Sequence, residues 1–276
     1  MNQAVTCAST AVSAPDSSQF IVDGVSYAYP SENGMPIPVI ANVSFSVRPC
    51  EFVAIVGTSG CGKSTLLNIM AGLLKPLSGS VILDGRPLNR ISPRIGYISQ
   101  FDTLLPWRTT LANVELGMEI RRIPAAERRE KALALIRRAE LAGFEHAYPY
   151  QLSGGMRKRV DIIKVLALDP EIIFMDEPFA SLDVFTREML QSYILSLWQE
   201  TKRTVIFITH DLTEAIMLSD RVLILTNRPA RVKAEHAVGL ARPRSPADLR
   251  FDPEFIHLHR RIWDDLKDEV TRQGAA

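Results

Sequence analysis

At 276 residues and 46% hydrophobic content the chain is long and apolar enough to bury one large core or two small ones, which excludes disorder along its whole length. Its 32 lysines and arginines stand against 31 aspartates and glutamates, so no broad basic field neutralises a phosphate backbone, and nucleic acid is excluded as a partner. No apolar run approaches the roughly 20 residues that cross a bilayer, and Cys7, Cys50 and Cys61 make no CxxC pair or zinc-site spacing, which fits a reducing compartment.

Residues 1–19 are rich in Ala, Ser and Thr and lack both a positive start and an apolar core; they read as a disordered tail, not a signal peptide. From Phe20 to about Val47, alternating apolar positions such as Val25, Tyr27 and Tyr29 are broken by Pro30 and Gly34, which predicts an antiparallel β-region. Phe52–Val56 is a compact apolar strand that ends in a glycine-rich turn, and residues 64–70 follow with helical spacing. Residues 124–142 predict a helix with Pro124 in its first position and Gly143 as its stop. Residues 172–175 and 205–208 are further buried strands alternating with helical patterns, hence a parallel sheet with crossover helices. Phe255, Leu258, Ile262, Leu266 and Val270 then recur three or four residues apart and predict a final amphipathic helix over 253–271, which either packs on its own domain or stabilises a dimer.

Three segments carry chemistry. Gly57–Thr58–Ser59–Gly60–Cys61–Gly62–Lys63–Ser64 matches GxxxxGKS between a strand and a helix, where backbone amides and the positive helix end cradle phosphate oxygens. Lys63 adds charge against the β and γ phosphates and the Ser64 hydroxyl is placed to ligate magnesium. The apolar run 172–175 delivers Asp176 and Glu177 at a strand's carboxyl end, where α/β folds gather ligands: Asp176 to hold magnesium, Glu177 to polarise an attacking water. Leu152, Ser153, Gly154, Gly155 and Met156 precede a helix expected to begin near Arg157 and form a second anion-binding helix start, of which a single domain has little need.

Those last residues resemble the signature sequence, usually LSGGQ, of the ATP-binding-cassette family, and the resemblance covers nearly the whole chain from about Phe20. It implies an α/β P-loop NTPase (RecA-like) core with an N-terminal antiparallel β-subdomain and a helical signature subdomain. The implied organisation is an ATPase domain over 20–250, with the helical subdomain at about 101–165, and a C-terminal helical extension at 251–276. In that family the signature of one subunit closes over ATP held by the other, so an obligatory homodimer is implied, with ATP and magnesium bound at the interface. The nucleotide-binding set implied is Tyr29 on adenine, with Tyr27 as the alternative, and Gly57, Thr58, Ser59, Gly60, Cys61, Gly62, Lys63, Ser64 and Thr65 on the phosphates. Gln100 resembles the glutamine that links magnesium and water to the transmembrane partner. Ser181, Leu182 and Asp183 resemble the loop that crosses the dimer interface, and His210 resembles the histidine on the γ-phosphate.

Departures from the pattern are Met156 in place of the commonest glutamine and Asp161–Ile162–Ile163–Lys164–Val165 where alanine and arginine are usual; the latter bear on how the signature helix packs. Residues 104–109, 183–187 and the Arg242–Pro243–Arg244 and Asp252–Pro253–Glu254–Phe255 stretches resemble importers for nitrate, sulfonates and taurine. That resemblance implies two permease subunits, met at Trp107 and Arg108, and an external substrate-binding protein, with this chain peripheral on the cytoplasmic face of the membrane. The stretch after His210 is too short for the β-barrel regulatory domain of sugar importers. Soluble cassette ATPases of DNA repair or translation resemble proteins with coiled-coil insertions or tandem cassettes, and this chain has one cassette and no heptad run. The cargo itself is not written in the sequence.

Overall fold

The structure, a computed structural model, describes residues 19–31, 34–244 and 249–274. The tail expected at 1–19 therefore lies outside the described residues except for Gln19, which already belongs to the fold: its amide donates to the Val47 carbonyl at 2.9 Å.

Two sheets follow from two kinds of strand. The alternating N-terminal segments form β1 (Phe20–Tyr29) and β2 (Ile37–Val47), antiparallel to each other. With β4 (Ser78–Leu83) and β5 (Arg86–Pro87) they make a four-stranded antiparallel sheet of order β2-β1-β4-β5. The continuous apolar runs form the second sheet, as expected for strands covered on both faces. Its members are β3 (Phe52–Val56), β6 (Ile95–Ile98), β7 (Ile172–Asp176), β8 (Thr204–Thr209), β9 (Arg221–Leu225) and β10 (Val232–Ala237), in the order β10-β9-β3-β8-β7-β6. All pairs are parallel except β10 with β9.

Alternation along each parallel strand divides the interior in two. Phe52, Ala54 and Val56 of β3, Val205 and Phe207 of β8 and Val222 and Ile224 of β9 face one core. It is roofed by α5 (Val184–Thr201), α6 (Leu212–Leu218) and the last helix, α7 (Pro253–Gly274). Val53, Ile55, Ile206, Ile208, Leu223 and Leu225 face the other, shared with α1 (Lys63–Met70) and the antiparallel sheet. A third, smaller core joins α2 (Thr110–Ile120), α3 (Ala125–Arg138) and α4 (Gly154–Leu166) around Val114, Met118, Ile136 and Val160.

Three boundaries differ from expectation for local reasons. Pro124 caps α3 instead of opening it, and the helix ends at Arg138, before Gly143. Glu140 takes the left-handed conformation (φ 58°) while the amide of buried Leu141 donates to the Ile136 carbonyl, a Schellman closure fixed by burial of a leucine rather than by a glycine. Helix α4 begins at Gly154, not near Arg157, because Ser153 is its N-cap and accepts from the Met156 amide at 3.3 Å. In α7, Phe255, Leu258, Ile262 and Leu266 are buried against the domain, but Val270 is 41% exposed and Glu269 takes the buried place instead. Among the described residues no helix is long and apolar enough to cross a membrane.

Arg244 closes this architecture at the end of α6. It is buried, and its guanidinium donates to the carbonyls of Ile216 (3.1 Å), Met217 (3.2 Å) and Ser219 (2.6 Å), groups that the end of α6 leaves without partners, and to that of Leu240 (3.0 Å). Arg244→Met keeps most of the volume but strips these acceptors. The expected loss is about 3 kcal/mol in urea unfolding with an unchanged m-value; a loss below ~1 kcal/mol would show that water replaces the guanidinium.

Candidate active site

Because β3, β6, β7, β8 and β9 run parallel, their carboxyl ends meet along one edge, and the chain emerging from β3, β6, β7 and β9 lines a single cleft. After β3, residues 57–62 wrap back to start α1, whose first-turn amides have no acceptor within the helix. Gly62 makes the wrap possible: its φ is 120°, and a Cβ there would lie 2.8 Å from Val39 Cγ1. Lys63 is 5% exposed; its ammonium donates to the carbonyls of Gly57 (2.9 Å) and Thr58 (3.0 Å) and lies 3.5 Å from Glu177 Oε1. Ser59, Gly60, Gly62, Lys63, Ser64 and Thr65 line the cleft with Gln100, Glu177 and Arg228. Cys61 is buried behind the loop, and desolvation raises its thiol pKa.

Strand β7 brings its carboxylates to the same place. The Ser64 hydroxyl donates to Asp176 Oδ1 at 3.1 Å, and Tyr97 places its hydroxyl 3.4 Å from Oδ2. Burial pushes the Asp176 carboxyl above the usual carboxylate range, with the Ser64 hydrogen bond opposing. A hard divalent cation takes oxygen ligands, and the Ser64 hydroxyl beside an under-compensated buried carboxylate is such a donor set, so these residues fit magnesium. The chain then kinks. Glu177 sits in the left-handed region (φ 42°), unusual for a residue with a side chain, and is pinned there by its amide on the Ile208 carbonyl at 3.0 Å. The kink turns its carboxylate between Lys63 and His210, whose Nδ1 is 3.0 Å from Oε2.

The remaining expected residues divide between this cleft and other surfaces. Tyr29, exposed, places its hydroxyl 3.3 Å from Thr65 Oγ1 and packs edge-on against Tyr27, with ring centroids 5.0 Å apart; of the two, Tyr29 stands at the loop. Leu152, Ser153, Gly154, Gly155 and Met156 do not line the cleft, and Ser153 points to solvent from the start of α4. Gly155 lets α4 approach α5, since a Cβ would lie 2.3 Å from Thr186 Cγ2. Asp183 caps α5 through the Thr186 amide at 3.1 Å, a contact that lowers its pKa; Ser181 is exposed and Leu182 buried beside it. Trp107 is 71% exposed, whereas the Arg108 guanidinium is held by Glu119 Oε2 at 2.8 Å.

Sequence reasoning missed four contributors, each hidden by a distant partner. Lys158 is buried and donates to the carbonyls of Ser99 and Gln100, which ties the glutamine segment to α4. Asp161, one of the departures from the family pattern, is buried and accepts from Thr103 Oγ1 (2.8 Å) and Lys164 Nζ (2.9 Å), so that substitution adds a second tie to the same segment. Arg228 reaches the loop from after β9, its Nη2 on the Gly60 carbonyl at 2.7 Å. Glu214 lies behind His210, accepting from Thr209 Oγ1 at 2.7 Å and from Gln191 Nε2 at 3.3 Å, with Arg187 Nε 3.9 Å away.

A glycine-rich loop between a central parallel strand and a helix, facing a buried aspartate on a nearby strand, defines a P-loop NTPase. A family model described as ABC transporter matches residues 40–180. The chain is 48% identical over 240 residues to an uncharacterised ABC transporter ATP-binding protein of Methanocaldococcus jannaschii, covering 87% of this chain and 88% of that one. It is 40% identical over 259 residues to the taurine import ATP-binding protein TauB of Rhizobium johnstonii, covering 92% and 99% of the two chains. Among solved structures, the dimeric ATP-binding cassette MJ0796 in a post-hydrolysis state with ADP and Pi superimposes with a TM-score of 0.71 at 33% identity, over 80% of this chain and all of that one. The chain belongs to the ATP-binding family of ABC transporters and is an ATPase.

The Glu214 carboxyl, pushed up to about 7 chiefly by burial, yields a pH test. Its folded pKa lies above the unfolded value, so the stability it contributes is complete below about pH 4.5 and is lost as pH rises through 7. Glu214→Gln, a permanent mimic of the neutral form, removes this slope: wild type and variant should match near pH 4 and diverge in the variant's favour by on the order of 3 kcal/mol by pH 8. Parallel stability curves across that window would show that Glu214 is already ionised.

Proposed function

We propose that two copies of this chain bind two ATP molecules across a homodimer interface and drive the uptake of a small anion through two separate permease subunits. The observation that supports the shared site is the division of labour within one chain: Lys63, Ser64 and Glu177 line one cleft, with Asp176 on Ser64 and His210 on Glu177, while Ser153, Gly154 and Gly155 open α4 on a different surface. A second helix start with nothing to hold in its own chain is explained by a partner's γ-phosphate.

In this reading the amides of residues 59–65 and Lys63 hold the triphosphate, Tyr29 stacks on adenine, and Ser64, Asp176 and Gln100 hold magnesium. Magnesium, when bound, supplies charge neutralisation on the β and γ phosphates. Glu177 orients the attacking water and accepts its proton, and the kinked backbone that pins it beside His210 fixes the direction of that carboxylate. His210 then faces the γ-phosphate. Ser181, Leu182 and Asp183 cross the interface, and the loop from Gln100 to Arg108 carries the signal to the permease, with exposed Trp107 as its anchor. Arg108, engaged with Glu119, shapes that surface from within. The protein then sits on the cytoplasmic face of the membrane, served by an external binding protein. Likeness to TauB supports taurine, or a related sulfonate or small anion, as cargo.

Three variants test the shared site. Glu177→Gln removes the base while keeping shape, so ATP binding persists, hydrolysis falls by about 10²–10⁴-fold and a closed dimer accumulates in light scattering. Ser153→Arg and Lys63→Ala should each be inactive alone, and mixing them restores partial turnover, because one composite site then carries both lesions and the other neither. No recovery on mixing, together with a Glu177→Gln chain that stays monomeric with ATP even beside its permease, would reject the shared site. For the cargo, taurine should stimulate hydrolysis in vesicles holding the full transporter and its binding protein; indifference to taurine and other sulfonates would reject that class.

A further inference from the structure

The buried end of α7 is polar. Glu269 is 3% exposed where the apolar stripe led to Val270, and a carboxylate is buried at that cost only against specific partners. Lys233 Nζ lies 3.0 Å from Oε1, and the Asn227 amide donates to Oε2 at 2.9 Å. Asn227 follows β9, whose parallel register with β3 pairs Ile224 with Val56 and so sets the turn after β9 beside the phosphate loop. Its side chain is used at both ends: Nδ2 donates to the Glu269 backbone carbonyl, and Oδ1 accepts from Thr58 Oγ1. The Thr58 carbonyl is one of the two that hold Lys63 Nζ, and the next residue of the turn, Arg228, donates to the Gly60 carbonyl. A continuous run of hydrogen bonds thus leads from the last helix to the ammonium at the centre of the cleft.

We infer that Glu269 is a positioning residue for ATP: through Asn227 and Thr58 it holds the phosphate loop in the shape that places Lys63, so the C-terminal helix is part of the nucleotide site without touching the nucleotide. This inference rests on the loop at 57–64 being the ATP site. The chemistry suits a brace. Lys233 compensates the Glu269 charge, and both faces of the Asn227 amide are engaged. A shift of a fraction of an ångström in a preorganised anion cradle is felt chiefly in binding, because its amides and Lys63 must converge on the same oxygens.

The test uses the purified full chain, with Kd for a fluorescent ATP analogue, KM and kcat for hydrolysis, and Tm measured on each variant. Glu269→Ala should raise Kd and KM about tenfold, which is ~1.4 kcal/mol, and leave kcat within about twofold, whereas Glu269→Gln, which keeps an oxygen for the Asn227 amide, should recover most of the affinity. Thr58→Val, which removes only the hydroxyl link, should reproduce the affinity loss with little change in Tm. Ile262→Ala, in the apolar core two turns earlier on α7, should lower Tm without moving Kd. The inference is overturned if Ile262→Ala weakens ATP as much as Glu269→Ala, since the helix then acts only through stability, or if Thr58→Val and Glu269→Gln both bind like wild type while Glu269→Ala fails to fold. Lys63→Ala separates the premise: if it binds ATP normally, the loop is not the site and the brace has nothing to position.

Discussion

A buried ammonium is the constraint around which the rest of the molecule is arranged. Lys63, 5% exposed, is tolerable only because two backbone carbonyls and one carboxylate surround it. Each of those partners depends on a larger element. The carbonyls of Gly57 and Thr58 point inward because the loop doubles back, which Gly62 permits. Glu177 reaches Lys63 because β7 and β3 are separated by β8 alone and end at the same edge. Moving any of these strands by one residue would exchange the side chains that fill the two cores and carry the charge away from its partners. Fold stability and the geometry of the phosphate site are therefore one requirement rather than two.

The same edge explains how contributors so distant in sequence come together. Asp176, Ile208 and Ile55 stand in register on β7, β8 and β3, so the groups just beyond them are neighbours by construction. Left-handed Glu177 and the N-caps Ser153 and Asp183 redirect the chain at three surfaces. The paired ties from α4, Lys158 on Gln100 and Asp161 on Thr103, fix the glutamine segment to the signature helix. Motion of that segment therefore entails motion of the helix, a mechanical property suited to a chain whose proposed task is to pass the state of a nucleotide to a membrane partner.

What could be read from the sequence was what is local. A strand, glycine loop and helix in succession, or an apolar run ending in Asp176 and Glu177, declare themselves because chemistry and conformation occupy the same few residues. Strand periodicities likewise announced an antiparallel β-region and a parallel sheet with crossover helices. The misreadings have long-range causes. Lys158 looks solvated until the segment after β6 packs over it, and Glu269 looks like the polar neighbour of a core position until a turn 42 residues earlier supplies its donors. Leu141 ends α3 early because its burial, not Gly143, decides where the chain turns. In each case one residue's preference yields to a partner that periodicity does not reveal.

Tyr29 and the C-terminal helix place the two ends of the described chain on the nucleotide cleft from opposite sides. Tyr29 meets Thr65 from the antiparallel sheet, and Glu269 reaches Thr58 through Asn227. Between them lies a glycine-rich loop whose amides, in the proposed function, serve phosphate. Such a loop cannot hold its shape by itself: glycine-rich backbone carries the largest conformational entropy, and an unfilled anion cradle gathers positive ends that repel one another. Its rigidity has to be imported from neighbouring elements, and the sheet edge, the turn after β9 and α7 are the elements positioned to supply it.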